Sequence, residues 1–254
     1  MPRLGQNDDM NVHSIGGSNF QFSAKKIDEL DASEYTLVVV AADVSGSMDG
    51  FGDDMDKMLG AIVEACRDPK NPRADNMMLR VLLFNENVQE IHGFRPVMDL
   101  NPDDYKGICN PGSMTAARDA AYSGAKSMTQ YAQDLVAKQY AVNGALFLIT
   151  DGIDNRSKVS AAMLKEALTE GIGAEALESV MSALIGMGHG SAEELQDVSD
   201  YLKVLYDEGG FGQYEFAGKC TPAVLARIGG FVSKSASSQS QALGTGGASQ
   251  SLSF

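Results

Sequence analysis

Tyr35-Thr-Leu-Val-Val-Val-Ala-Ala-Asp43-Val-Ser45-Gly-Ser47 is the stretch from which the architecture can be read. Residues 35–42 are apolar and β-branched, with no alternation of polar positions. Such a run is buried on both faces, as strands of a parallel sheet are. At Asp43 the character changes. A carboxylate and two hydroxyls follow at two-residue intervals, and Gly46 permits a tight turn that aims them together.

Working outward, Met55, Met58, Leu59, Ile62, Val63 and Cys66 fall at helical spacing, and Pro69 and Pro72 stop that helix. Met77 to Phe84 reads as a second strand, and Val88 to Phe94 as its partner across the Asn85-Glu86-Asn87 loop. An Ala-rich helix is expected over about residues 116–137, then a buried strand over 145–150. Met163, Leu164, Ala167 and Leu168 mark a helix ending near Gly171, and Val180 to Met187 a further strand. Ser191-Ala-Glu-Glu194 is a capping box, Gln213 to Phe216 a short strand, and Thr221-Pro222 a helix start. Strands alternating with helices predict an α/β fold: a doubly wound, mostly parallel sheet with one antiparallel edge strand and helices on both faces. Residues 1–18 read as a mobile polar arm, 19–234 as one domain, and 235–254 as a polar Ser/Gln/Gly tail. Phe20 and Phe22 suggest a short edge strand or docking arm at the domain's start.

The 254 residues carry 20 Lys+Arg against 34 Asp+Glu, a formal net charge of −14. That balance argues against nucleic acid and anionic membranes as partners, because both are held through Lys and Arg. The 3 cysteines are far apart and include no CxxC pair, so neither a disulfide framework nor a thiolate zinc site is expected. Met1 to Asp9 contains no apolar signal core, and the expected location is cytoplasmic.

Doubly wound sheets place ligands at the carboxyl ends of their strands. Three polar segments sit at such ends: Asp43-Val-Ser45-Gly-Ser47, Gly112-Ser-Met-Thr115 leading to Asp119-Ala120, and Thr150-Asp151-Gly152. Their carboxylates and hydroxyls are hard oxygen ligands, suited to Mg2+ or Mn2+. Two carboxylates leave such a cation electrophilic, with a position open to a carboxylate from another molecule.

The three segments, in this order and spacing, resemble the von Willebrand factor A domain and its metal-ion-dependent adhesion site. Asp43, Ser45 and Ser47 match its D-x-S-x-S, Thr115 with Asp119-Ala120 its threonine motif, and Asp151 its T-D-G. Ala183 to Gly188 is similar to the family's next strand, and the resemblance covers roughly residues 35–234. Gly112-Ser-Met-Thr115 departs from the family's Gly-Thr, which makes Ser113 a competing ligand or cap. The resemblance implies a Rossmann-like fold. It also implies Asp43 holding the metal largely through water, Ser45 and Ser47 ligating directly, Thr115 joining when a partner is bound, and Asp151 anchoring through water. It further implies a non-enzymatic adaptor whose metal accepts an Asp or Glu from a partner protein. Compact members of this kind act beside MoxR-type ATPases or kinase–phosphatase pairs in stress and tellurium-resistance systems.

Two other classes remain. The terminal segments suit an assembly component of a larger particle such as a phage virion. A metal-dependent phosphohydrolase with Asp43 as nucleophile lacks the general acid two residues on, where Ser45 stands. Among neighbouring residues, Asp154 is expected to shape a turn, Asp49, Asp53, Asp54 and Asp56 to be a solvated helix start, and His189 to be a loop residue near the site face. Met163 is expected in the core with Met55, Met58, Met77, Met78 and Met181, and Met48 exposed at the rim.

Overall fold

The apolar run from Glu34 to Asp43 is an inner strand with a parallel neighbour on each side. The protein is described here from a computed structural model covering residues 9–243 and 253–254. Its elements are β1 (Met10–Ser14), β2 (Gln21–Lys25), β3 (Glu34–Asp43), α1 (Gly52–Cys66), β4 (Met77–Phe84), β5 (Val88–Pro96), α2 (Ala117–Val136), β6 (Ala141–Thr150), α3 (Ala161–Gly173), β7 (Val180–Gly188), α4 (Ala192–Gly209), β8 (Gln213–Lys219) and α5 (Pro222–Ala242). Among the described residues eight strands form one sheet, in the order β1-β2-β5-β4-β3-β6-β7-β8.

The alternation along β3 builds both cores. Val38, Val40 and Ala42 face α1 and α5, while Leu37, Val39 and Ala41 face α2, α3 and α4. This is the doubly wound arrangement expected from the sequence. Burying each Val or Leu side chain contributes about 1.5–3 kcal/mol, so a strand apolar on both faces anchors both layers. The chain leaves β3 towards β4 on one side and returns to β6 on the other. The carboxyl ends of β3 and β6 therefore meet at the point where strand order reverses, which is where such folds make their crevice.

β5 runs antiparallel to β4, and it is not an edge strand, because the sheet continues beyond it. β2 joins β5 in parallel at Ala24↔Phe94, and β1 runs antiparallel to β2 from Met10↔Lys25 to Ser14↔Gln21. Residues 10–14 are thus sheet and not a mobile arm, while residues 1–8 of that expected segment lie outside the described residues. Gly93 makes the β2 contact possible: a Cβ there would collide with the Ser23 carbonyl oxygen.

Residues 235–242, expected as polar tail, are helix. α5 runs to Ala242, with Ser235, Ala236, Gln239 and Ser240 buried. Gln239 Nε2 donates to the Gly144 carbonyl (3.0 Å) and to Ser179 Oγ (2.9 Å), and Asn143 Nδ2 donates to the Gln239 carbonyl (2.6 Å). Small hydroxylated residues that look like linker composition here let a helix lie close to the sheet. Residues 244–252 of the expected tail lie outside the described residues. Met163 is 43% exposed and not core, whereas Met48 is buried, not at the rim. Asp56 is also buried, because its carboxylate accepts the Gly107 and Cys109 N–H groups and ties their loop to α1.

Candidate metal centre

The site begins where β3 runs out. The Val44 N–H still bonds to the Phe84 carbonyl of β4 (2.8 Å), and the chain then turns through a single 3-10 turn at Gly46–Met48. The loop before α2 is laced to this turn by backbone alone. Gly46 N–H donates to the Ser113 carbonyl (3.0 Å) and Gly112 N–H to the Val44 carbonyl (2.9 Å). A Cβ on Gly46 would sit 3.2 Å from that Ser113 oxygen, so the close approach needs the glycine. Ser113 takes φ +69°, and its side chain is exposed; it contributes its carbonyl to the lacing and does not cap α2. Thr115 is fixed from the other side, its N–H donating to Asn155 Oδ1 (3.0 Å) and its carbonyl accepting from the Asn155 and Arg156 N–H groups (both 3.1 Å).

All five residues singled out in the sequence converge here. Asp43 is fully buried and accepts from the Ser45 N–H (2.8 Å) and from Thr150 Oγ1 (2.5 Å). Ser45 Oγ lies 3.2 Å from Ser47 Oγ, and Ser47 Oγ donates to Asp151 Oδ1 (2.9 Å). Thr115 closes the ring. A Cβ built on Gly152 would lie 3.3 Å from Thr115 Oγ1, 3.7 Å from Ser47 Oγ and 4.0 Å from Ser45 Oγ. Hydroxyls from two distant segments thus approach one point over the turn of a third.

The charges around this point are unbalanced. Burial, and then the nearby Asp151 carboxylate, push the Asp43 carboxyl up to about 7, against its hydrogen bonds from Thr150 and Ser45. Burial likewise raises Asp151, opposed by Ser47 and His189. Two buried carboxylates held near one another disfavour joint ionisation, and a divalent cation between them removes that conflict. Among the described residues no three His, Cys, Asp or Glu side chains converge as a metal cluster. The donor set here is instead three hydroxyls and two carboxylates, which fits a hard cation and not a soft one.

Three residues around the centre were not assigned to it from sequence. Thr150 ends β6, and the β3–β6 pairing of Ala42 with Ile149 already puts it opposite Asp43. Asn155 clamps Thr115. His189, expected as plain loop, brings Nε2 to 2.7 Å from Asp151 Oδ2, with its ring centroid 5.4 Å from that of Phe51. Asp154 behaves as expected, its carboxylate accepting from the Arg118, Arg156 and Ser157 N–H groups at the start of α2 and in its own turn. Asp49 and Asp53 are exposed, and Asp54 pairs with Lys57 (2.9 Å).

Comparison with known proteins rests on shape. No protein-family model matches the chain, and no curated protein sequence matches it. Among solved structures, the vWF domain of the type V pili tip protein Mfa5 from Porphyromonas gingivalis aligns over 80% of this chain and 95% of that one, with TM-score 0.51 and 10% identity. The chain has the von Willebrand factor A fold. The PilB minor pilin from Streptococcus sanguinis aligns over 89% of this chain with TM-score 0.56 and 14% identity; the chain spans 66% of that pilin, just under two thirds. The pilus adhesin SpaC from Lactobacillus rhamnosus GG aligns over 82% of this chain and 31% of its own, with TM-score 0.54 and 10% identity. At these identities the likeness to the A-domain fold is one of backbone, and the chemistry has to be argued from the side chains. Among the described residues no helix is long and apolar enough to cross a membrane.

Proposed function

We propose that this chain is a non-enzymatic protein-binding module that holds Mg2+ or Mn2+ on Asp43, Ser45, Ser47, Thr115 and Asp151. The observation carrying this reading is the convergence of three hydroxyls on the point that a Gly152 side chain would fill, beside two buried carboxylates. When bound, the cation supplies an electrophilic position for an Asp or Glu of the partner protein. The protein's own residues do the rest: Thr150 and the Ser45 N–H orient Asp43, Ser47 and His189 orient Asp151, and Asn155 holds the Thr115 backbone. The rim supports a protein partner, since Met114, next to Thr115, and Ile153, two residues after Asp151, are 50% and 51% exposed. Exposed apolar side chains around a polar centre match the make-up of contact surfaces. A phosphohydrolase reading is disfavoured because both Asp43 oxygens are engaged in the interior and Ser45 occupies the place of a general acid.

The test is thermal melting with Mg2+, with Mn2+ and with a chelator. A ligand of the native state raises the melting temperature by mass action. The metal-dependent rise is expected in the wild type and absent in Asp43→Ala/Asp151→Ala; an equal rise in the double variant defeats the assignment. Affinity capture with magnesium against chelator then separates MoxR-type ATPases, kinases and phosphatases as carriers of the carboxylate. The pilus and adhesin descriptions of the fold neighbours favour a second reading, an assembly component. A stable large homo-assembly in light scattering would support that reading.

A further inference from the structure

A groove of about 500 Å³ opens beside the candidate metal centre. Its apolar wall is Phe20, Tyr122, Val159 and Met163, and its basic side is Arg156 and Lys158. Its lining is tied to the centre through the backbone: the Arg156 N–H is bonded to the Thr115 carbonyl (3.1 Å), and the Lys158 N–H to Asp119 Oδ1 (2.9 Å) at the start of α2.

Arg156 stands apart from the other arginines. Among the described residues its guanidinium alone has no hydrogen bond, ion pair or ring contact; Arg67, Arg73, Arg80, Arg95, Arg118 and Arg227 are all engaged. Among the described residues Lys158 makes no ion pair either, although the chain has 14 more acidic than basic residues. The acidic groups facing the groove are Glu86 and Asp119, and Asp119 is occupied by the Lys158 and Val159 N–H groups. An exposed guanidinium fork with nothing to bind, over an apolar trough, matches a carboxylate carried on a peptide.

We propose that the partner of the metal centre is an acidic peptide segment with two carboxylates: one meets the cation, and the second is held by Arg156 with Lys158 beside it. An apolar side chain of the same segment packs on Phe20, Tyr122, Val159 and Met163. This inference rests on the metal reading above and adds the chemistry of what docks there. An acidic ligand can thus approach an acidic protein: the carboxylate arrives along the flank of exposed Arg156, whose guanidinium has no partner among the described residues. The flank on the α1 side presents Asp49 and Asp53 instead.

The test uses the full chain, Mg2+, and fluorescent octapeptides read by anisotropy. Each peptide carries one Asp, a Phe or Leu, and a second Asp placed two to five positions from the first; its control has Asn at the second place. The best two-acid peptide should bind about tenfold tighter than its Asn control, as a bidentate charge-assisted pair allows. Arg156→Gln should abolish that advantage while leaving the affinity of the Asn control and the metal-induced melting rise unchanged. Equal binding of two-acid and Asn peptides, absence of peptide binding, or an advantage that survives Arg156→Gln overturns the proposal. Loss of the melting rise in the wild type overturns the metal reading instead. A single-stranded oligonucleotide serves as polyanion control, and Arg156-dependent binding of it without peptide binding assigns the groove to another class of ligand.

Discussion

Two buried polar clusters lie along α2, and their charge balance is opposite. Near its middle, Arg80 is fully buried and donates to Glu90 (2.7 Å), to Ser127 Oγ (2.8 Å) and to the Ser123 carbonyl (3.2 Å), with Phe22 facing its guanidinium. Glu90 spends its other oxygen on the Ser23 hydroxyl (2.7 Å) and N–H (3.0 Å). The cation and anion answer one another, and every contact is made within the chain. At the amino end of α2, among the described residues, no buried cation lies between Asp43 and Asp151, and Asp151 Oδ2 has His189 Nε2 at 2.7 Å. The first cluster is closed and holds β2 to the sheet; the second is complete only with something added. A balanced cluster serves the fold, and an unbalanced one of the same burial marks a place for a ligand.

The comparison breaks first at Arg80. Arg80→Met leaves the largely buried Glu90 without its cation, and such a loss costs about 3–5 kcal/mol. Urea denaturation should show that loss, and Arg80→Met/Glu90→Gln should recover a large part of it. If the single variant were as stable as the wild type, the cluster would not be a closed structural unit. The next effect is at His92, two residues along β5 from Glu90. It is buried, with Nδ1 2.8 Å from the Gly93 carbonyl and Nε2 2.5 Å from the Tyr105 hydroxyl. Burial pulls its pKa from 6.5 to about 4, with Arg95 and Arg80 acting in the same direction and the Gly93 carbonyl opposing. The unfolded chain therefore binds a proton between these values when the folded chain does not. Stability from this group is whole above pH 6.5 and falls by about 3 kcal/mol as the pH drops to 4. His92→Gln should flatten that part of the stability–pH curve, and an unchanged slope would remove His92 as its source.

The two clusters were unequally legible in the sequence. The metal centre could be read because its donors lie in three short segments at strand ends, each with a spacing that has chemical meaning. Arg80 sits inside an apolar run, where one charge looks like an interruption, and its partner arrives only when β5 folds back beside β4. The same reason hid His189 and Asn155: each acts on a residue far along the chain, and no local pattern announces it. The fold was legible from β3 because burial on both faces requires two helical layers. The end of α5 was not, because Ser235 and Ser240 pack as small side chains, a role that composition alone cannot separate from solvated linker.

The smallest expected change in stability asks the sharpest question of the open cluster. Gly152→Ala adds one methyl at the point ringed by Thr115 Oγ1, Ser47 Oγ and Ser45 Oγ, at distances of 3.3, 3.7 and 4.0 Å. The nearest contact requires Thr115 to give by a few tenths of an ångström, so in chelator the variant should lie within about 1 kcal/mol of the wild type. The methyl nevertheless stands within 4.0 Å of all three hydroxyl donors and offers no lone pair. If that point is where a cation sits, the melting rise with Mg2+ or Mn2+ should be lost although every ligand residue remains. An Asp43 variant cannot separate these effects, because it changes a buried charge and a ligand together. A full metal response in Gly152→Ala would mean that the hydroxyls converge for packing, and the distinction between the closed cluster and the open one would fall with it.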